Sequence, residues 1–238
     1  MAGQGADTDG GAGAGGARVT PTAEEMAVVA ASPWIRAPRQ ARSEETLWRF
    51  LQATDELLAE RDFADISVEH IVARADRTVG SFYARFDDKL AVLRVLAERD
   101  WADARRAADR LLDVDRWRGV PLAEVTRATV RSIVSRYRRS TPALVAAARY
   151  CAVDDGFRDD RKLSFAHVVD RFREVVADHA DEVDHPDPEA AAETAVVAMF
   201  GLLEMRRTYG DLAGVTPFDD EELIDRLDGV IREILRLR

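Results

Sequence analysis

The residues best suited to chemistry with a partner lie between positions 66 and 89, in the stretch ISVEHIVARADRTVGSFYARFDDK. Thr78, Ser81 and Tyr83 bring hydroxyls, Arg77, Arg85 and Lys89 bring cations, and Val79 and Gly80 leave a small surface among them. Such a set binds rather than breaks bonds. Hydroxyls and guanidiniums pair with phosphate oxygens, which fix position, and with base edges, which fix sequence preference. Patterns for bond-breaking chemistry are missing from the sequence: there is no HExxH, and no Walker glycine loop with its lysine. Cys151 sits in RYCAVDD without a histidine beside it, and a lone helical cysteine is usually a small core residue. His179, Asp181, Glu182, Asp184 and His185 form the cluster DHADEVDH, which could hold a divalent ion weakly but reads equally as an exposed helix end. No catalytic residue, metal ligand or cofactor is expected. A helical enzyme acting on a small molecule is the rival from another class.

The elements that must position this set follow from caps and periodicity. Ser67 can cap a helix with Val68, Ile71 and Val72 on one face and Ala75 close to it. Residues 74–77 make a short polar break. Thr78 can cap a second helix, in which Phe82 and Phe86, four apart, turn inward. Asp87 or Asp88 can cap a third, starting at Lys89. This is helix-turn-helix spacing, although a tight corner in any all-helical protein would fit it too. Upstream, a helix from Glu44 to about Glu60 carries Leu47, Phe50, Leu51, Leu57 and Leu58 at helical period, and Phe63 should plug the small core. Arg36, Arg39 and Arg42, at three-residue spacing, make a local positive arm able to reach phosphates or a minor groove; a solvated linker fits as well.

At these residues the chain resembles the TetR-type repressors. Ser67 stands at their helix cap, Ile71 and Val72 at their Ile-Ala pair, and Ala75, Asp76 and Arg77 at their Ala-Gly-Val turn. Thr78, Gly80, Ser81, Phe82, Tyr83, Phe86 and Lys89 complete the pattern in order, and the match covers residues 42–96. Asp76 replaces the usual glycine and Arg77 the usual small apolar residue, so the turn should be slightly reset, since Asp visits left-handed angles less easily than Gly. The resemblance implies a double-stranded DNA operator read by Thr78, Val79, Gly80, Ser81 and Tyr83. It makes Ser67, Tyr83 and Lys89 the phosphate anchors, with Arg77 and Arg85 serving either role. It also implies an effector cavity inside the later helices and a homodimer built by the last two. The function so implied is a ligand-responsive repressor on a palindromic operator; a metal-responsive or ligand-activated regulator is the alternative.

The whole chain fits this picture. Its 238 residues allow a real core, and a net charge of −10 with a pI near 5.0 excludes a general nucleic-acid coat while leaving room for a local positive patch. One cysteine excludes a disulfide framework, and no apolar run is long enough to span a membrane. With no secretion signal visible, a cytoplasmic protein is expected. The expected class is all-α, with residues 1–40 a weakly structured or disordered extension, 41–90 a three-helix DNA-binding domain and 91–238 a helical effector-binding and dimerisation domain. The region from Lys89 towards Leu112 reads as one long helix or two with a bend near residues 99–101. Residues 113–121 read as a break, and further helices are expected over residues 122–140, from Pro142, over 158–181, 188–209 and from Asp219 or Asp220. Trp101, Trp117, Tyr137, Tyr150, Phe157, Phe165, Phe172 and Met199 are candidates to line a cavity for an organic effector, although core packing needs the same residues. The small residues Ala191, Ala195 and Ala198 with Leu202, and the stripe Leu227, Ile231 and Ile234, are candidates for the dimer seam or the packing behind it.

Overall fold

The computed structural model describes residues 21–36, 41–209 and 219–237. The glycine-rich start and Arg39 fall outside them, as does the side chain of Arg42. Among the described residues the chain is all-α, with one antiparallel bridge between Val183 and Leu237. No helix among the described residues is long and apolar enough to cross a membrane.

The helices begin where capping side chains stand. α1, Ala23–Ala31, starts at a reciprocal box in which Thr22 Oγ1 accepts from Glu25 N and Glu25 accepts from Thr22 N. α2, Ala41–Glu60, leads through a 3-10 turn at Phe63–Asp65 into α3, Val68–Arg74, and α4, Val79–Tyr83. Asp88 caps α5, Lys89–Leu111, which runs 23 residues as a single helix, so no second element starts near Trp101. The expected break after it contains the short α6, Val114–Trp117. α7 is Leu122–Arg138, α8 Pro142–Tyr150, α9 Asp155–Asp178, α10 Pro188–Tyr209 and α11 Asp220–Leu235. The last begins at an Asp219–Glu222 capping box.

Two hydrophobic cores form, and α5 contributes to both. The first gathers Phe50 of α2, Ile71 of α3, Phe82 of α4 and Leu93 and Leu96 of α5, but it also takes Ala143 and Ala147 of α8 and Phe157 of α9. The second is built from Leu122 and Val125 of α7, Phe172 and Val175 of α9, Ala195 and Met199 of α10, and Leu227 and Ile231 of α11. At the first core, Arg94 of α5 pairs with Asp154 at 2.5 Å and lies over the rings of Trp34 and Phe157. Gly156 makes this possible: a Cβ there would stand 2.1 Å from the Arg94 Nη1.

The candidate seam divides in a way its spacing did not show. Ala191, Ala195, Leu227 and Ile231 are buried in the protomer's own second core, and Ile234 packs half-buried against it. They cannot meet a second copy directly. Leu202 remains exposed and Ala198 half-buried, and the exposed apolar face of α10 and α11 is carried by Val197, Leu202, Met205 and Val230. Gly201 and Gly229 are exposed too, and a Cβ on either would meet nothing.

Candidate nucleic-acid interface and the cavity behind it

Helix α4 is short, and its placement is set by aromatic packing beneath it. Phe82 is fully buried, with its ring 5.4 Å from Phe50 at a near-perpendicular 81° and 5.3 Å from Phe86. This anchors one side of the helix and leaves the other outward. Thr78 caps it: its Oγ1 accepts from Ser81 N at 3.2 Å, while Ser81 Oγ donates to Thr78 O at 2.8 Å. Thr78, Val79, Gly80 and Tyr83 are exposed, Val79 at 41% and Tyr83 at 46%. Nothing lies within 4 Å of where a Gly80 Cβ would stand, so packing inside the protein does not require a glycine there. The turn before α4 keeps its left-handed residue, since Asp76 has φ 53°. Ser67 caps α3 in a box closed by an unusual partner, the ring of His70, whose Nδ1 accepts from Ser67 N at 3.2 Å.

The cations divide by their local partners. Arg77 donates to Asp76 O and stands 3.7 Å from Glu45; Arg85 donates to Ser81 O at 2.8 Å. Burial, and then the neighbouring Arg77 guanidinium, lower the Arg85 pKa. Two close cations beside α4 favour an anion from outside. Lys89 is placed otherwise than the sequence suggested. Its Nζ donates to the carbonyls of Phe63, Ala64 and Ile66 at 3.0, 3.2 and 2.6 Å, above the Phe63 ring. An ammonium has three protons, and all three are occupied, so the phosphate-anchor role is corrected to a structural one: Lys89 holds the 3-10 turn. Arg36 is likewise tied down. It donates to Tyr83 O at 2.9 Å and to Asp87 at 2.5 Å, and its backbone N–H meets Arg85 O. Arg36 is thus pinned to the end of α4 rather than extended as a free arm.

Behind this domain a cavity of about 600 Å³ opens between α5, α7, α8, α9 and α10. Of the aromatic candidates, Trp101, Tyr137 and Phe165 line it. Phe157, Phe172 and Met199 are buried core, and Trp117 packs on the second core with its Nε1 donating to Leu111 O. Tyr150 lines a separate hollow of about 420 Å³ with Phe63 and Arg149. Sequence reading missed Arg161, Phe200, Glu204 and Arg207, which lie in the cavity wall with Arg136 and Arg139 from the arginine-rich end of α7. Their spacing within each helix carried no sign that the fold would bring them together. Tyr137 has its hydroxyl buried without a well-formed partner, and burial, then the Glu204 carboxylate, push its pKa far up, so it stays a proton donor.

The acidic–histidine cluster is used internally. The His179 nitrogens lie 2.8 and 3.0 Å from the carbonyls of Val175 and Val120, and Glu182 accepts from Leu122 N at the start of α7. Among the described residues no group of three metal-binding side chains converges.

A short exposed helix set on an aromatic trio, preceded by a capped helix and a left-handed turn, defines a helix-turn-helix regulator with a larger helical domain behind it. Residues 50–96 match the family model described as bacterial regulatory proteins, tetR family. No curated protein matches the chain. Among solved structures it is similar to Salmonella enterica GusR, at 17% identity and a TM-score of 0.54, over 80% of this chain and 95% of that one. It is also similar to a TetR family transcription regulator from Marinobacter aquaeolei, at 19% identity and 0.53, over 82% and 97%. A third is reduced Escherichia coli NemR, at 14% identity and 0.57, over 81% and 99%. The chain has a TetR-type helix-turn-helix fold: the match to the family model covers residues 50–96, and the likeness to solved structures is one of fold.

Proposed function

We propose that this protein is a ligand-responsive transcriptional repressor that reads a palindromic operator as a homodimer in the cytoplasm, without catalytic activity. The observation that carries the reading is the outer face of α4, where Thr78, Val79 and Gly80 are exposed while Phe82 is fully buried beneath them. A groove can approach such a face closely, and hydroxyls and a methyl-bearing surface suit base edges. Ser67, Arg77, Ser81, Tyr83 and Arg85 surround it as contacts to phosphate or base; the arm that includes Arg39 and Arg42 would extend the contact. The exposed apolar face of α10 and α11, with glycines at Gly201 and Gly229, supports pairing with a second copy, and a two-fold pair of reading helices matches a palindrome. The cavity supports the sensor role, because a ligand shifts DNA binding only if it binds the two states unequally.

Selection of duplexes from a random pool, followed by sedimentation of the protein with the selected DNA, tests this. A palindromic consensus bound by two chains is expected. A monomer without sequence preference would overturn the reading.

A further inference from the structure

The cavity is amphipathic along its length, and contacts between the helices fix its ends. Arg136 meets Asp103 at 2.8 Å, Thr141 Oγ1 donates to Asp100, and Arg161 and Arg207 both pair with Glu204. These groups make a polar end nearest the DNA-binding domain. Phe165 and Phe200 meet edge to face at 5.4 Å further along, with Leu111, Ile133 and Val168 around them, and make the apolar end.

The charges of the wall decide the sign of a ligand. Four guanidiniums (Arg136, Arg139, Arg161 and Arg207) stand against three carboxylates (Asp100, Asp103 and Glu204). Every one of those carboxylates is already paired. Asp103 is shared by Arg136 and Arg106, Glu204 by Arg161 and Arg207, and Asp100 is met by Arg99 from behind the wall. No acid is left over for a cationic ligand. Arg139, in contrast, has no acidic partner among the described residues, and one of the two guanidiniums on Glu204 is in excess. The Tyr137 hydroxyl at the same end is a further donor lacking a well-formed acceptor.

From this arrangement we infer that the cavity takes an organic anion, a carboxylate carried on an apolar aromatic or aliphatic body. Its head lies at Arg139, Arg136 and Tyr137 and its body among Phe165, Phe200 and Ile133. The inference rests on the sensor reading above and names the ligand class for it. A charged head in a cleft with surplus guanidinium gains charge-assisted hydrogen bonds that a neutral head of the same shape lacks, and a cationic head meets repulsion.

Calorimetric titration of the full chain with naphthoate, naphthylmethanol and naphthylmethylammonium holds the body constant and varies the charge; decanoate replaces the aromatic body by an aliphatic one. At least one carboxylate is expected to bind once per chain, roughly tenfold or more tighter than the alcohol or the ammonium. Arg139→Gln should narrow that preference, and Ile133→Trp, which fills the apolar end, should remove the binding. Equal or tighter binding of the alcohol or ammonium, binding of neither carboxylate, or an unchanged preference in Arg139→Gln would overturn the ligand class. The comparison on the unaltered chain decides the matter even if a variant misfolds. The same probes added to the protein on its selected DNA separate the two readings. Carboxylate binding that leaves DNA binding unchanged overturns the sensor role and supports the ligand class; release by the ammonium alone overturns the ligand class and supports the sensor.

Discussion

Arg99 of α5 donates to Asp55 of α2 at 3.0 Å and to Asp100 at 3.1 Å, so one guanidinium serves two carboxylates, one on each side of the boundary between domain and cavity. Asp100 in turn accepts from the hydroxyl of Thr141, the residue that caps α8, and both line the cavity. A continuous polar path therefore joins the cavity wall to the helix that supports α4. Burial raises the Asp55 pKa, and Arg99 opposes that rise.

Arg99→Met should be strongly destabilising, because it strands Asp55 and Asp100 without their cation. The expected loss is roughly 3 kcal/mol, the lower part of the range for breaking a buried pair. The sign of its pH dependence follows from Asp55. A carboxyl whose folded pKa is raised favours the folded state where it is protonated, and that contribution is lost as pH rises through the folded value. Without Arg99 the rise is larger, so the deficit relative to the unaltered chain should grow from mildly acid to neutral pH. Denaturant unfolding across that window measures it; a deficit that shrinks as pH rises would show that Asp55 does not govern it.

Lys89→Met should lower stability without altering the electrostatics of DNA binding. Three carbonyls lose their donor, and leaving buried acceptors unpaired costs about 1–3 kcal/mol in total at this half-exposed site. Thermal unfolding should show the loss. The slope of DNA affinity against salt should stay the same, whereas loss of a true phosphate contact reduces it by about 1. A reduced slope with unchanged stability would restore the anchor role.

Gly80→Leu should leave the fold intact and weaken DNA binding. Nothing surrounds the position inside the protein, and replacing glycine within a helix is favourable by up to about 1 kcal/mol. Melting should be unchanged or raised, with DNA affinity down roughly tenfold or more from the blocked approach to the groove. Unchanged affinity would place α4 away from the groove.

Leu202→Asp combined with Met205→Asp should give folded monomers, since both side chains lie on the exposed face of α10. Leu227→Asp should instead unfold the second core, because Leu227 is buried within the protomer and an unpaired buried charge is costly. Sedimentation and circular dichroism together distinguish the two. Stable dimers of the double variant would put the interface elsewhere.

The sequence by itself determined the parts that depend on near neighbours. Capping is local, so Ser67, Thr78 and the pair Asp87 and Asp88 marked the starts of three helices, and the four-residue spacing of Phe82 and Phe86 marked the buried side of the turn unit. The turn at Asp76 was expected to reset with aspartate in place of glycine, but the structure keeps it left-handed at φ 53°. Side-chain partners across long distances were not legible. Lys89 looked like a phosphate ligand because a lysine is drawn to any oxygen, and only the tertiary fold brings three carbonyls from 23 to 26 residues away within its reach. Leu227 and Ile231 made an apolar stripe on α11, but periodicity gives a buried face without saying whether the same chain or a second copy covers it. The cavity was decided at the same level. Its wall draws on five helices, and the pairing of Arg161 of α9 with Glu204 of α10 exists only because those two helices pack side by side.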